Sequence, residues 1–527
     1  PAPVPGVRAP RQQLIAPSVR MTAHLSMLFG RWPVMSALLA GTIAVPAFAP
    51  LGWFPFTILS LAALFLLWDR GGASTGLRIG FAYGLGFFGA GVSWVYVSIH
   101  QYGHINLVVS VLIMLVMIFY LSLFPAVLGY MIDRCRVTNT REGLVLIMPA
   151  GWVLAEWLRG WLFSGFPWLE VGNSQIDSPL SGFAPIAGIY GVGLAVALSA
   201  GLLVAMGRRL IGWHGGLLLV VLWSTGYLLK QVDWTVEDGE ALRVTLVQGN
   251  IPQEEKWAPE QFSATIEQYL ELTLRQGGGS DIIVWPETAI PAFYHQISES
   301  LLPYIEEEIS GISASLLTGI PVLDMSSWDY YNAVMSLDGE RAFYHKRHLV
   351  PFGEYLPLRG LIGDSLDALA VPNADFSAGG DDQSLLRLGG YPVGSSICYE
   401  IIFGAGVIHS LPEAAYLVNV SNDAWFGRSL APHQHLEMAR MRALETGRYL
   451  LRATNTGISA VIGPDGRIID RSRQFEPATV TAEILPRTGS TPYVLAGNLP
   501  AITLALLLLC AGLLRTWRGK RRPEPGG

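Results

Sequence analysis

Residues 32–68 read WPVMSALLAGTIAVPAFAPLGWFPFTILSLAALFLLW and contain no charged side chain. An α-helix needs ~20 mostly apolar residues to cross the ~30 Å hydrocarbon core of a bilayer. This stretch is long enough for two such helices, and Pro46, Pro50, Gly52 and Pro55 mark the turn between them. It therefore predicts a membrane protein, in agreement with 51% hydrophobic and 14% charged residues over the 527-residue chain.

Six further apolar stretches predict additional membrane helices, at residues 79–99, 105–132, 143–158, 179–207, 210–229 and 488–514. Arg and Lys concentrate in the loops after spans two, four and six and in the tail at 515–527, and the loops after spans one and three have neither. Since positively charged loops stay in the cytoplasm, the sequence predicts seven spans within 31–230, an eighth at 488–514, and both chain ends inside. The polar, Pro-rich residues 1–30 are predicted to form a disordered tail.

Residues 231–487 differ from the predicted spans because charges return and no long apolar run occurs. Short apolar runs predict strands at 242–248, 282–285, 316–320, 333–337, 394–397 and 416–420. Mixed polar and apolar stretches predict helices near 260–276, 297–310 and 432–447. Alternating strands and helices indicate an α/β layered domain, and the charge placement predicts that it lies outside the cytoplasm.

Candidate catalytic side chains occur in three segments of this domain: DIIVWPE (281–287), KRHLVPFGEYLP (346–357) and GSSICYE (394–400). Taken singly, they are typical of a turn carboxylate, a basic surface loop and a small buried thiol. Taken together, they supply what thiol acyl transfer needs. Cys398 can act as the nucleophile, Glu287 can accept its proton, and Lys346 can stabilise the thiolate and the later oxyanion.

The order Glu, Lys, Cys and the segments VWPE, KRHLVPFGEYLP and SICYE resemble the nitrilase (carbon–nitrogen hydrolase) superfamily. Four more segments extend the resemblance: VQGNIPQEEKW (247–257), GFPWLE (165–170), VSNDAWFG (420–427) and LLRATNTG (450–457). With the eight predicted spans, the chain from about residue 30 to 515 resembles the membrane-embedded branch of that superfamily, the apolipoprotein N-acyltransferases.

The resemblance implies a multi-pass helical bundle joined to an α-β-β-α sandwich, in the bacterial inner membrane with the catalytic domain periplasmic. It also implies the reaction. A fatty acyl chain passes from a glycerophospholipid, through a cysteine thioester, to the N-terminal α-amino group of an S-diacylglyceryl-cysteine apolipoprotein. No cofactor is implied, and a monomer is favoured.

Carried onto this sequence, the resemblance makes Cys398 the nucleophile, Glu287 the general base and Lys346 the oxyanion stabiliser. Supporting or substrate-lining roles fall to five other residues: Glu354, Glu400, Tyr399, Trp257 and Trp425. Four aromatic residues in the loop after span five are expected at the membrane interface, where such rings are favoured: Trp161, Phe163, Phe166 and Trp168.

Other function classes have less support. A net charge of -6 with no long run of either sign does not favour a nucleic-acid partner. The pair His433 and His435 has no acidic or thiol partner at ligand spacing, so no metal is predicted. A transporter usually places paired charges at mid-span, whereas here Glu156 is the main charge within a span. The alternative that stays open is a membrane-anchored nitrilase-type amidase that hydrolyses a small C–N bond with the same triad.

Overall fold

The computed structural model describes residues 32–69, 73–355 and 376–520. The predicted tail at 1–30, the last two residues of the 346–357 motif, and residues 521–527 of the basic tail lie outside this part of the chain. Within it, eleven helices have ten or more residues: α1 (Pro33–Ala44), α2 (Pro55–Trp68), α3 (Ala73–Val92), α4 (Leu107–Arg134), α5 (Met148–Arg159), α6 (Ala184–Gly207), α7 (His214–Leu229), α8 (Phe262–Gln276), α9 (Leu301–Ser310), α10 (Ala431–Thr446) and α11 (Leu499–Lys520). We call α1–α7 with α11 the helical region.

By length and composition, three helical segments of the described chain can cross a membrane: Leu107–Arg134, Pro179–Gly207 and Leu499–Arg518. A fourth exists if Thr75–Val92 and Val95–Tyr102, which are bent by 55°, form one span. The helices at Pro33–Ala47, Pro55–Trp68 and His214–Leu229 are apolar but shorter. The predicted apolar helical region is therefore present, but its count of eight spans is not confirmed, because bends and proline-containing breaks divide the apolar runs.

The predicted eighth span at 488–514 begins too early. Thr488 pairs with Val236 in a two-stranded sheet, and a short helix follows at Pro492–Ala496. Gly497 then has a φ of 57°, a left-handed conformation that ends this short helix before α11 begins. Apolar composition alone does not separate these three pieces, which is why the predicted boundary missed the start of α11.

The α/β region contains fourteen strands in the described chain: β1 (Val236–Glu237), β2 (Leu242–Gln248), β3 (Ile282–Val284), β4 (Ser315–Leu323), β5 (Tyr330–Asp338), β6 (Glu340–His345), β7 (Leu386–Leu388), β8 (Tyr391–Ile397), β9 (Tyr416–Ser421), β10 (Leu450–Thr454), β11 (Ala460–Ile462), β12 (Ile468–Arg471), β13 (Ala478–Ile484) and β14 (Arg487–Thr488). One six-stranded sheet has the order β13-β2-β3-β4-β5-β6, and the other has the order β12-β11-β10-β9-β8-β7. All six strands predicted from the sequence are confirmed, with ends that differ by a few residues.

The two six-stranded sheets pack face to face through buried aliphatic side chains such as Leu246 and Val284 on one sheet and Val418 and Leu451 on the other. Helices α8 and α9 cover the outer face of the first sheet. Helix α10 covers the outer face of the second sheet, against Leu417 and neighbouring residues. The layers are thus helix, sheet, sheet, helix, which confirms the predicted α-β-β-α sandwich.

Helix α10 also packs against the helical region. Its Leu436 and Met441 belong to one continuous buried cluster with Val196 and Ala200 of α6. Nearly every side chain of α10 is buried. The sandwich and the helical region therefore share a hydrophobic core, which fixes the strand ends of the second sheet relative to the membrane helices.

Candidate active site

The three predicted catalytic side chains come together. Glu287 follows β3, Lys346 follows β6, and Cys398 follows β8. Strands β3 and β8 lie in different sheets, and each runs parallel to a neighbour, so their carboxyl ends meet at one edge of the sandwich. Lys346 Nζ lies 3.9 Å from Glu287 Oε1. This edge is the candidate active site.

Glu287 is buried, with 7% of its surface exposed. Its Oε1 accepts a hydrogen bond from Asn332 Nδ2 at 2.8 Å, and its Oε2 accepts one from the backbone N–H of Asn422 at 2.8 Å. Lys256 Nζ donates to the Glu287 carbonyl at 3.0 Å. The carboxylate is thus held from two sides while each oxygen keeps a second lone pair for a proton.

Lys346 is 1% exposed, and its ammonium group is held by a second acid. Its Nζ donates to Glu354 Oε1 at 2.7 Å, and the same oxygen accepts from Asn332 Nδ2 at 3.1 Å. Burial favours the neutral amine, but the carboxylates of Glu354 and Glu287 more than reverse this and raise the pKa of Lys346. Lys346 is therefore charged at neutral pH and can stabilise an adjacent anion.

Cys398 stands at the start of a tight turn directly after β8, with a φ of 50°. A non-glycine residue in this left-handed region is strained by about 1–3 kcal/mol, a cost typical of functional sites. Burial, reinforced by the Glu287 carboxylate, raises the pKa of the thiol to about 12, although Lys346 acts in the opposite direction. The resting thiol is consequently protonated at neutral pH, and an adjacent base must take its proton before it can attack.

Glu400 ties the nucleophile turn to the Lys346 loop. Its Oε1 accepts from Tyr344 Oη and from the backbone N–H groups of Arg347 and His348, and its Oε2 accepts from the Ile397 N–H. Burial raises the pKa of Glu400. These bonds hold the Cys398 turn and the Lys346 loop together.

Two of the remaining predicted residues join the site to the helical region. Tyr399 Oη donates to the Gly165 carbonyl at 3.0 Å. The Trp425 carbonyl accepts from Ser98 Oγ at 2.8 Å, and the Trp425 ring lies at the rim, 38% exposed. Trp257 is 49% exposed and follows Lys256, whose ammonium group reaches Glu287.

The four aromatic residues of the 161–168 loop do not act as one group. Trp161 and Phe163 are exposed, and Phe163 shows 80% of its surface. Trp168 is buried and stacks on Phe166 with a centroid distance of 5.8 Å. Because Ser164 of the same loop contacts His348 at 3.2 Å, the exposed pair lies close to the candidate site.

Sequence reasoning missed three polar residues of the site: Asn332, Asn422 and Lys256. Asn332 is a buried amide in the middle of an apolar strand, a position that an amide occupies only with partners. Asn422 follows β9 at the same edge. Lys256 is 4% exposed, and burial lowers its pKa to about 8. A buried polar residue within an apolar run is the signal that could have drawn attention to Asn332.

The comparisons with known proteins cover nearly the whole chain. Residues 40–202 match the family described as the apolipoprotein N-acyltransferase N-terminal domain, and residues 243–493 match carbon-nitrogen hydrolase. An apolipoprotein N-acyltransferase of Methylococcus capsulatus is 46% identical over 495 residues, or 93% of this chain and 96% of that protein. One from Nitrosomonas europaea is 43% identical over 498 residues, or 94% of this chain and 99% of that protein. A solved CN-hydrolase superfamily structure from Xanthomonas campestris matches 50% of this chain and 97% of its own, with 19% identity and a TM-score of 0.36.

Proposed function

Because the chain belongs to the apolipoprotein N-acyltransferase family, we propose that it moves an acyl chain from a membrane phospholipid to apolipoprotein through a thioester on Cys398. Acyl transfer to apolipoprotein follows from the family, and the donor, the thioester and the residue roles are the proposal. The observation that carries it is the convergence of Glu287, Lys346 and Cys398 at one edge of the sandwich, with Lys346 Nζ 3.9 Å from Glu287 Oε1.

In the first half-reaction, Glu287 takes the thiol proton of Cys398 and the sulfur attacks the ester carbonyl of the phospholipid. Lys346 stabilises the oxyanion of the tetrahedral intermediate. When the C–O bond breaks, Glu287 returns its proton to the departing alkoxide. The products are a lysophospholipid and the Cys398 thioester. A protonated resting thiol, with its pKa raised to about 12, fits a site in which Glu287 has to act as the base.

In the second half-reaction, the neutral α-amino group of the diacylated N-terminal cysteine attacks the thioester carbonyl. Lys346 again stabilises the oxyanion, and Glu287 accepts a proton from the attacking nitrogen and delivers it to the leaving sulfur. Glu354 holds the Lys346 ammonium at 2.7 Å and, as a second acid, helps to position the incoming amine. The amide product and the free Cys398 thiol restore the starting state.

We also propose eight membrane crossings, residues 231–487 as a periplasmic catalytic domain, an inner-membrane location and a monomeric enzyme. The support is the Arg and Lys asymmetry of the loops and the hydrogen bonds that join the site to the helical region at Gly165 and Ser98. A reporter active only outside the cytoplasm should be active when it is inserted near residue 380 and silent when it is fused after residue 522. The reverse pattern would refute the orientation.

The deciding experiment is intact and peptide mass spectrometry after incubation with phosphatidylethanolamine vesicles. We expect one acyl chain on the peptide that contains Cys398, together with one equivalent of lysophospholipid. A diacylated lipopeptide added next should remove that acyl chain and become triacylated. An unmodified Cys398 peptide with no lysophospholipid released would refute the proposal and favour the amidase alternative.

A further inference from the structure

The His433-Gln434-His435 motif has no role in the proposed reaction, yet His435 contacts the backbone of Cys398. It belongs to α10 and is completely buried. Its Nε2 is 3.2 Å from the Cys398 carbonyl oxygen, and its Nδ1 is 3.0 Å from Arg452 Nη2 and 3.2 Å from Asp423 Oδ1. Both ring nitrogens are therefore engaged by groups of the protein.

These partners select one tautomer of His435. A carbonyl oxygen can only accept, so Nε2 carries the proton that it donates to Cys398. Burial and the Arg452 guanidinium hold the pKa of His435 below its usual value. The ring is thus neutral, and Nδ1 accepts from Arg452, so its 3.2 Å contact with Asp423 Oδ1 is not a hydrogen bond in this tautomer. Arg452 also pairs with Asp423 at 2.9 Å and holds that carboxylate beside the ring. The Arg452–Asp423 ion pair holds the His435 ring in place, and the ring in turn directs its Nε2–H at the Cys398 carbonyl oxygen.

The nucleophile turn requires this kind of support. Cys398 has a φ of 50°, a conformation that a non-glycine residue keeps only when its surroundings hold it there. Glu400 Oε2 accepts from the Ile397 N–H at 2.7 Å, which holds the chain just before Cys398. His435 holds the carbonyl just after it. Buried side chains therefore restrain the Ser396–Ile397 peptide group before the strained residue and the Cys398–Tyr399 peptide group after it.

We propose that His435 is a positioning residue for the nucleophile: its Nε2–H fixes the Cys398 carbonyl and thereby the turn that presents the thiol to Glu287 and Lys346. The inference rests on the proposed role of Cys398. The preceding residue on the helix faces elsewhere. Gln434 accepts from Trp168 Nε1 at 2.7 Å and donates to the Gly91 carbonyl at 3.3 Å, so it bonds to the helical region.

This contrast supplies the matched control. His435→Leu removes the donor, His435→Gln keeps an N–H of similar reach, and Gln434→Met removes hydrogen bonds from an equally buried neighbour. For each variant, peptide mass spectrometry follows alkylation of Cys398 by iodoacetamide from about pH 7 to about pH 11. Thioester formation from phosphatidylethanolamine vesicles and the thermal midpoint in detergent are measured in parallel.

In His435→Leu, we expect iodoacetamide to alkylate Cys398 faster at about pH 9, because a relaxed turn releases the thiol from the surroundings that raise its pKa. The same variant should form the thioester about 10²-fold more slowly, since the reacting groups are misplaced. His435→Gln should restore the parental alkylation profile and most of the thioester rate. Gln434→Met should lower the thermal midpoint without changing that profile.

The proposal would be overturned if His435→Leu kept the parental pH profile of Cys398 alkylation and the parental rate of thioester formation. It would also be overturned if Gln434→Met changed the alkylation profile in the same way as His435→Leu. If His435→Leu does not fold, His435→Asn carries the same test, because its amide is too short to reach the carbonyl. Failure of the proposed acyl transfer would appear separately, as a missing thioester in the unsubstituted protein, because alkylation of Cys398 requires no lipid.

Discussion

Glu156 and Arg159 in the helical region differ from the charged residues at the edge of the sandwich in the partners that they bind. In the helical region, Glu156 and Arg159 bond to the backbone of the 160–171 loop, through the Val171 N–H and the carbonyls of Phe166 and Trp168. At the edge of the sandwich, buried acids and bases face one another across strand ends, as in the 3.9 Å contact of Lys346 with Glu287. Glu156 and Arg159 thus fix the backbone of a loop, whereas the charged groups of the sandwich edge surround the Cys398 thiol.

The two regions meet at α10, and the difference between them shows which parts of the molecule are built for chemistry. In the helical region, the hydrogen bonds of Glu156 and Arg159 to the backbone fix a loop. Clustered carboxylates and ammonium groups perturb each other's proton affinities, which is what acid–base catalysis uses. We therefore expect substitutions in the sandwich edge, and at His435 of α10 beneath it, to change reactivity, and substitutions in the helical region to change stability or access to lipid.

The largest expected effect is a difference in activity among alanine variants of the three cysteines of the chain. Cys398→Ala should abolish the thioester and the transfer reaction, because it removes the proposed nucleophile. Cys135→Ala and Cys510→Ala, at exposed positions of the helical region, should remain near parental activity. Thioester mass and lipopeptide acylation measure the outcome. A thioester in Cys398→Ala that disappears in either other variant would reverse the assignment of chemistry to the sandwich.

The next effect concerns Glu287 and Lys346, the two neighbours of Cys398 with proposed catalytic roles. Glu287→Gln and Lys346→Met should each slow thioester formation by about 10²–10⁴-fold, through loss of the base or of the oxyanion donor. Their effects on alkylation should have opposite signs. Glu287 raises the pKa of the thiol and Lys346 lowers it, so Glu287→Gln should speed iodoacetamide alkylation at alkaline pH and Lys346→Met should slow it. If both variants changed the alkylation rate in the same direction, the opposite effects assigned to Glu287 and Lys346 on the thiol pKa would be wrong.

A smaller effect compares two arginines on α10. Arg442 pairs with Glu445 at 3.1 Å in the buried interior, whereas Arg440 pairs with the exposed Asp177. Arg442→Met should destabilise the protein by about 3–5 kcal/mol, since it leaves a buried carboxyl without its partner. Arg440→Met should cost about 1 kcal/mol or less. Thermal unfolding in detergent, followed by tryptophan fluorescence, measures both, and equal losses would contradict the structural role of the buried pair.

The smallest expected effect tests whether the exposed loop of the helical region serves the site. Phe163 and Trp328 are both exposed aromatic residues with left-handed φ values, but Trp328 lies in the turn between β4 and β5. Phe163→Gly should raise the KM for vesicle phospholipid about threefold to tenfold, as expected for losing about 1 kcal/mol of apolar contact. Trp328→Gly should leave this KM unchanged. An equal change in both variants would remove the special role of the 161–168 loop.

The sequence alone determined the strands and the catalytic motifs because both are local signals. An apolar run such as Leu242–Gln248 specifies a buried strand, and it matches β2 residue for residue. Glu287, Lys346 and Cys398 were recognisable because each lies in a short motif next to a strand end. The apolar character of the helical region was equally local, whereas the number and bounds of its helices were not, as the late start of α11 shows.

Only the tertiary structure decided how these pieces cooperate. Asn332 bridges Glu287 and Glu354, and His435 holds the Cys398 carbonyl from a helix that begins 33 positions later in the chain. Each contact joins segments far apart in sequence, and each residue taken alone has the pattern of an ordinary buried amide or helix residue. Hydropathy and spacing report only how a residue relates to its chain neighbours. A hydrogen bond across a fold depends on the position and direction of both partners, and the packing of the two sheets and α10 sets those.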